Sequence, residues 1–269
     1  MAHGIPTLET RNWKFKKKVQ TVGHFIREPS RFYLEEFFKQ TPALNAVLTA
    51  AFDNADATNA SNVTITTARN VANKDFEVAG DNMTTALVTF STTVAGITLT
   101  TDTTDNDSAY ICPHLDTKQT AWTNTLWGTE NQVIWEAAIK TDTAVLTTLL
   151  WAGLKLTQDP TIATDDNQVY FRYDTDVPDT NWQCITSIAG VDTTTDSGVT
   201  VSGATVYLFR IEIDSDRKAH FYIDDVLVHS TTALTNDIDL IPYIGVQALM
   251  GAARSVLIGY EKISRTIYE

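Results

Sequence analysis

Between Thr205 and Ser230 the chain reads TVYLFRIEIDSDRKAHFYIDDVLVHS, and this stretch restricts the possible folds more than any other. Val206, Leu208 (less strictly), Phe209, Ile211 and Ile213 form an apolar row interleaved with Arg210, Glu212 and Asp214. A period of two is the signature of a strand with one face buried and one face wet. Asp214–Arg217 is a polar turn, after which Ala219, Phe221 and Ile223 alternate with His220, Tyr222 and Asp224. Asp224-Asp225 reads as a second tight turn, because Asp tolerates the left-handed backbone that short hairpins need. Val226-Leu227-Val228 then opens a third strand.

The same alternation recurs along the chain. Strands are expected at Val63–Thr67, Phe76–Val78, Ala86–Phe90, Gly96–Thr100 and Ala109–Cys112, and then at Gln132–Lys140, Ala144–Leu156, Gln168–Tyr173 and Asn181–Thr186. Two more are expected at Ile238–Met250, broken by Pro242 and Gly245, and at Ser255–Ile267. Asp192–Gly198 is rich in turn residues, and Thr101–Ser108 reads as a polar loop. Beyond Pro42 no long helical pattern occurs, so the reading is an all-β sandwich over residues 46–269. Residues 43–62 read as a linker or loose coil. Residues 1–45 read as a separate N-terminal arm, with a short helix over Pro29–Phe38 capped by Ser30 and ended before Pro42.

Charge divides the chain in the same way. Residues 1–40 hold eight Lys/Arg against four Asp/Glu, whereas the remainder holds 12 against 29. An acidic body disfavours nucleic acid and anionic membrane as partners, and a basic segment attached to it reads as a docking arm. The docking residues expected there are Trp13, Lys14, Phe15, Lys16, Lys17 and Lys18, followed by the aromatics Phe32, Tyr33, Phe37 and Phe38. The alternative for those aromatics is that the sandwich covers them. The chain contains 43 Thr, a β-branched residue suited to the solvated face of a sheet. Cys112 and Cys184 are too few for a disulfide framework, and two buried free thiols are expected. No secretory leader pattern is visible and no apolar run approaches the ~20 residues of a membrane span, so synthesis in a cytoplasm is expected.

Candidate chemistry is sparse. Glu212, Asp214 and Asp216 resemble the E-x-D-x-E run of retaining glycosidases, but Asp216 falls in a turn, so a solvated strand face is the better reading. Asp102, Asp105, Asn106 and Asp107 have the oxygen donors of a calcium loop without its spacing. His3, His24, His114, His220 and His229 show no metal-binding spacing, and no GxSxG nucleophile motif or phosphate-binding loop occurs. The expectation is therefore no enzyme, no cofactor and no metal. Trp122 and Trp127, on a Thr/Asn-rich stretch, are the candidates for stacking on sugar rings; core packing is the alternative.

Arg210-Ile211-Glu212-Ile213-Asp214 followed by Phe221-Tyr222-Ile223-Asp224-Asp225-Val226-Leu227-Val228 resembles the concanavalin A-like (laminin G-like) jelly-roll domains, with Asp225 where those domains usually have Gly. The resemblance covers roughly residues 110–267. It implies a jelly-roll sandwich. The acidic, Thr-rich body with its basic arm is in addition similar in architecture to accessory virion proteins of tailed phages. That likeness implies a capsid decoration or cement protein, made in the host cytoplasm and displayed on the virion. The arm would bind the major capsid protein or another virion subunit, and a homodimer or homotrimer is expected. The alternative is a carbohydrate-binding module of a tail fibre or adhesin that recognises a surface glycan.

Overall fold

The structure is a computed structural model that describes residues 31–36, 38, 43–48, 62–66, 76–82, 84–90, 96–112 and 126–267. In chain order its strands are β1 (Arg31–Glu36), β2 (Ala43–Leu48), β3 (Asn62–Thr66), β4 (Phe76–Gly80), β5 (Val88–Phe90) and β6 (Ile97–Thr100). They continue with β7 (Ser108–Cys112), β8 (Ile134–Thr141), β9 (Thr148–Lys155), β10 (Asn167–Asp174), β11 (Asn181–Ile188) and β12 (Val191–Thr200). The last five are β13 (Val206–Ile213), β14 (Lys218–Ile223), β15 (Val226–Ala233), β16 (Ile241–Ala248) and β17 (Ser255–Thr266).

Two sheets result. The first runs β15-β14-β13-β8-β17-β6-β5, with β1 also on β17. The second runs β12-β11-β10-β9-β16-β7-β4-β3-β2. Every pairing is antiparallel. The alternation of β13 and β14 follows the sequence reading from Phe209 onward; at the start of β13 it is corrected, because Tyr207 takes the buried position while Val206 is exposed and Leu208 half-buried. Phe209, Ile211, Ile213, Ala219, Phe221 and Ile223 are buried between the sheets, and Arg210, Glu212, His220 and Tyr222 lie on the opposite face. Phe171 of β10 meets Phe209 at 4.5 Å and Phe221 at 5.1 Å, and Trp182 of β11 meets Phe209 edge-on at 4.8 Å. These contacts join the two sheets. The fold is the concanavalin A-like jelly-roll sandwich.

Strand β17 serves three neighbours. Along one edge it pairs with β8; along the other, Ser255–Ile258 pairs with β6, and Glu261–Thr266 pairs with β1. A bulge between Ile258 and Tyr260 separates these two halves. Because side chains alternate with period two, the extra residue reverses the phase. Val256 and Ile258 point into the core before the bulge, and Glu261 and Ile263 do so after it. Tyr260 and Lys262 are thereby turned to the outer face, where both meet Glu136.

Four further sequence expectations are corrected. Residues 31–36 form strand β1, not a helix; Leu34 is buried and Phe32 packs against the core, while Arg31, Tyr33 and Glu35 alternate to the other side. Residues 43–48 form strand β2 of the second sheet, not a linker. The turn-rich Asp192–Gly198 lies inside β12, a ten-residue edge strand bent by Gly198 at φ 73°. Pro242 and Gly245 do not interrupt β16. Strand β7 pairs only with Ile244–Gln247, so Pro242 lies beyond it at an edge position, where a missing N–H is tolerated.

Candidate functional site

Of the expected docking residues, Trp13, Lys14, Phe15, Lys16, Lys17, Lys18 and Phe37 lie outside the described residues. The described ones serve the sandwich. The Phe32 ring is 5.9 Å from that of Trp127, Phe38 is buried in the main core, and the Tyr33 ring lies 5.2 Å from the Lys262 ammonium. Trp127 is itself fully buried, so it is no sugar-stacking platform. Trp122 lies outside the described residues. Cys112 and Cys184 are both buried, and burial pushes the Cys184 thiol up to about 12.

The acidic loop after β6 uses its carboxylates internally. Asp107 is buried and accepts a hydrogen bond from Asn82 Nδ2 at 3.0 Å, and Asp102 Oδ1 accepts from the Thr103 backbone N–H at 2.6 Å. Among the described residues no group of three or more His, Cys, Asp or Glu is placed to hold a metal ion.

The outer face of the second sheet carries a separate aromatic layer. Trp151, Tyr170, Tyr243, Tyr110, Ile185 and Ile241 cluster there. Lys155 is fully buried beside Tyr170, with its ammonium 4.3 Å from the ring centroid. The partners of that ammonium are Asp165 at 3.1 Å and the Gln168 side-chain carbonyl. Burial drives the Lys155 ammonium below its ordinary range despite the attraction of Asp165. Asp165 also accepts from the backbone N–H groups of Leu156 and Thr157, each at 3.1 Å. The ion pair therefore fastens the loop after β9 over the sheet.

On the outer face of the first sheet, strand register sets charges side by side. Glu35, Lys262, Glu136 and Arg210 are successive cross-strand partners on β1, β17, β8 and β13, followed by Tyr222 on β14. Lys262 Nζ is 3.1 Å from Glu136 Oε2, and the Arg210 guanidinium carbon stands 3.8 Å over the Tyr222 ring. Arg210 also pairs with Glu212. The three carboxylates of the glycosidase-like run consequently do different things: Glu212 is held by Arg210, Asp214 faces His220, and Asp216 is exposed near Lys218.

Asp214 sits in the β13–β14 turn. Its Oδ1 accepts the backbone N–H groups of Asp216 (2.8 Å) and Lys218 (2.9 Å). Its Oδ2 is 2.9 Å from His220 Nε2, and His220 Nδ1 is 2.8 Å from Ser230 Oγ. Slight desolvation opposes ionisation of Asp214, but the hydrogen bonds from His220, Lys218 and Asp216 outweigh it and hold the carboxyl below its ordinary range. The result is an Asp–His–Ser chain that runs from the β13–β14 turn across β14 to β15. Sequence reading missed it because the three residues conform to no spaced motif; the hairpin register alone assembles them.

No protein-family model matches the sequence, and no curated protein sequence matches it. Solved structures of similar fold include a family 7 alginate lyase, A1-II′, in complex with substrate: 12% identity, TM-score 0.50, over 70% of this chain and 84% of that one. The Emp47p carbohydrate recognition domain is 9% identical with a TM-score of 0.49, over 74% of this chain and 92% of that one. A protein of unknown function from Shewanella oneidensis MR-1 is 15% identical with a TM-score of 0.48, over 99% of this chain and 97% of that one. At these identities the likeness concerns the fold alone.

Proposed function

We propose that this chain is a structural subunit of a larger assembly, in its specific form a decoration or cement protein on the capsid of a tailed phage, fastened through the basic segment before β1. The observation that carries the reading is the seam between β1 and β17. Arg31 begins β1 opposite Thr266, and its guanidinium donates to the Gln132 carbonyl at 2.6 Å and to the Ser264 hydroxyl at 3.2 Å. The basic segment is thus covalently continuous with a strand that is knitted into the sheet. A load on that segment passes directly to the core through Leu34 and Phe38. With an excess of acidic residues in the body, attraction to an acidic, partly apolar subunit surface has to come from residues 1–30, where Lys14, Lys16, Lys17 and Lys18 stand among Trp13 and Phe15.

Co-sedimentation with purified capsids tests this. The full chain should bind, and a chain lacking residues 1–30 should not. Binding should weaken as salt is raised from low to physiological strength, because screening shortens the reach of exposed charges to ~8 Å. Capsid binding that survives the deletion would overturn the reading.

A further inference from the structure

We propose that Ser230 is an activated nucleophile, and that the Asp214–His220–Ser230 chain is an acyl-accepting site for small activated esters. This goes beyond the structural role and does not depend on it. An ionised carboxylate can only accept, so the His220 nitrogen facing Asp214, Nε2, carries the proton. Nδ1 is left as the acceptor for the Ser230 hydroxyl, 2.8 Å away. That is the arrangement a nucleophilic hydroxyl needs: a base within hydrogen-bond reach, itself oriented by a third group. Asp214 is in turn fixed by two backbone N–H donors, so the orienting carboxylate does not swing.

The surroundings fit the role. Register shifts between Lys218 and His220 and between Phe221 and Tyr222 bracket the His220–Ser230 pair, and such bulges re-aim side chains. Ser230 is exposed, and the His220 and Asp214 side chains retain 24% and 35% of their exposure, so a reagent reaches all three. Among the described residues strand β15 ends its sheet, so the site lies at an open edge. The charged groups facing His220 are Asp214, Glu212 directly across on β13, and Lys218 two residues before it on the same face. Glu212 is engaged by Arg210, which leaves Asp214 as the carboxylate paired with the imidazole.

The step balances without a further reagent. Ser230 Oγ attacks the ester carbonyl carbon while its proton passes to His220 Nδ1. The tetrahedral species collapses as His220 returns that proton to the departing oxygen, leaving a seryl ester. Water, deprotonated by Nδ1, then cleaves that ester, and Oγ takes the proton back. The site lies on an open strand face, so selection rests on reactivity and small acyl size, and aryl acetates are the class it would take.

The test uses the full chain with a fluorophosphonate probe and with p-nitrophenyl acetate. The probe should add once, at the peptide containing Ser230, and Ser230→Ala should abolish that adduct and the acetate hydrolysis together. His220→Gln should slow labelling by roughly 10²-fold or more, the scale of a lost general base. Asp214 acts through His220 as a positioning residue. Asp214→Asn, which can present a donor to Nε2, should slow labelling with an unchanged circular dichroism melt, and Asp214→Glu should restore part of the rate. An unlabelled wild-type chain, an adduct elsewhere, or equal rates in the wild type and Asp214→Asn would overturn the proposal and leave the chain as a clip for the edge strand.

Discussion

The indole Nε1 of Trp135 donates to Glu261 Oε1 at 3.0 Å between the two sheets, where both residues are buried. The other carboxyl oxygen, Oε2, is buried with no hydrogen-bond partner. Desolvation therefore outweighs the Trp135 hydrogen bond and raises the Glu261 carboxyl to about 8. In the unfolded chain the same group titrates near 4.5. Between those values the folded state holds a proton that the unfolded state has released, so stability falls as pH rises through that window. The slope from one such group is about 1.4 kcal/mol per pH unit. Urea unfolding from pH 5 to 8 should show Glu261→Gln gaining on the wild type at each step up in pH. Parallel curves would show that Glu261 is not protonated in the folded protein.

Trp135 and Ile211 are cross-strand partners, both fully buried. Truncating either to Ala should cost roughly 2–5 kcal/mol, measured by denaturant unfolding, because the surrounding sheets close only partly over the cavity. An unchanged melting temperature would contradict the assignment of the inner face.

Lys155→Met should destabilise by roughly 3–5 kcal/mol, because Asp165 would remain buried without its cation. Lys155→Met combined with Asp165→Asn should cost less than the two single changes added together. A double-mutant cycle read by urea unfolding checks this; strict additivity would mean that the pair does not interact.

Gly245 leaves room for the Trp151 ring. A Cβ built at Gly245 would lie 2.1 Å from Trp151 Cζ2. Gly245→Ala should therefore displace the indole, shift its fluorescence, and destabilise by roughly 1–3 kcal/mol, the usual range for overpacking. The loss should be smaller in a Trp151→Leu background. Equal losses in both backgrounds would point to a backbone cause.

The place of truncation should decide whether the body survives. Removal of residues 1–30 should leave a folded, β-type circular dichroism spectrum. Removal of residues 1–38 should lower the melting temperature clearly, since it takes β1 from β17 and strips Leu34 and Phe38 from the core. Identical melts for the two truncations would show that β1 contributes nothing to stability.

The alternation of Phe209–Ile213 and Ala219–Ile223 determined, from sequence alone, two neighbouring strands, the residues they bury there and the sandwich class, because period two follows from the covalent pleat of a strand and needs no partner to be read; at the start of β13 the apolar Val206 and Leu208 misled, since Tyr207 takes the inner face. The same rule written in Phe32 and Leu34 was obscured by a Ser cap and a run of aromatics that also suit a helix; only the free edge of β17 decides between the two. Glu261 was illegible for a related reason. Whether it points inward depends on the bulge at Ile258–Tyr260, and a bulge arises between strands, not within one. The Asp214–His220–Ser230 chain belongs to the same category: the sequence supplied the residue types, and the register of β13, β14 and β15 brought them within hydrogen-bond distance. Local periodicity is a property of one segment, whereas the buried carboxyl and the polar chain depend on how distant segments are set against each other.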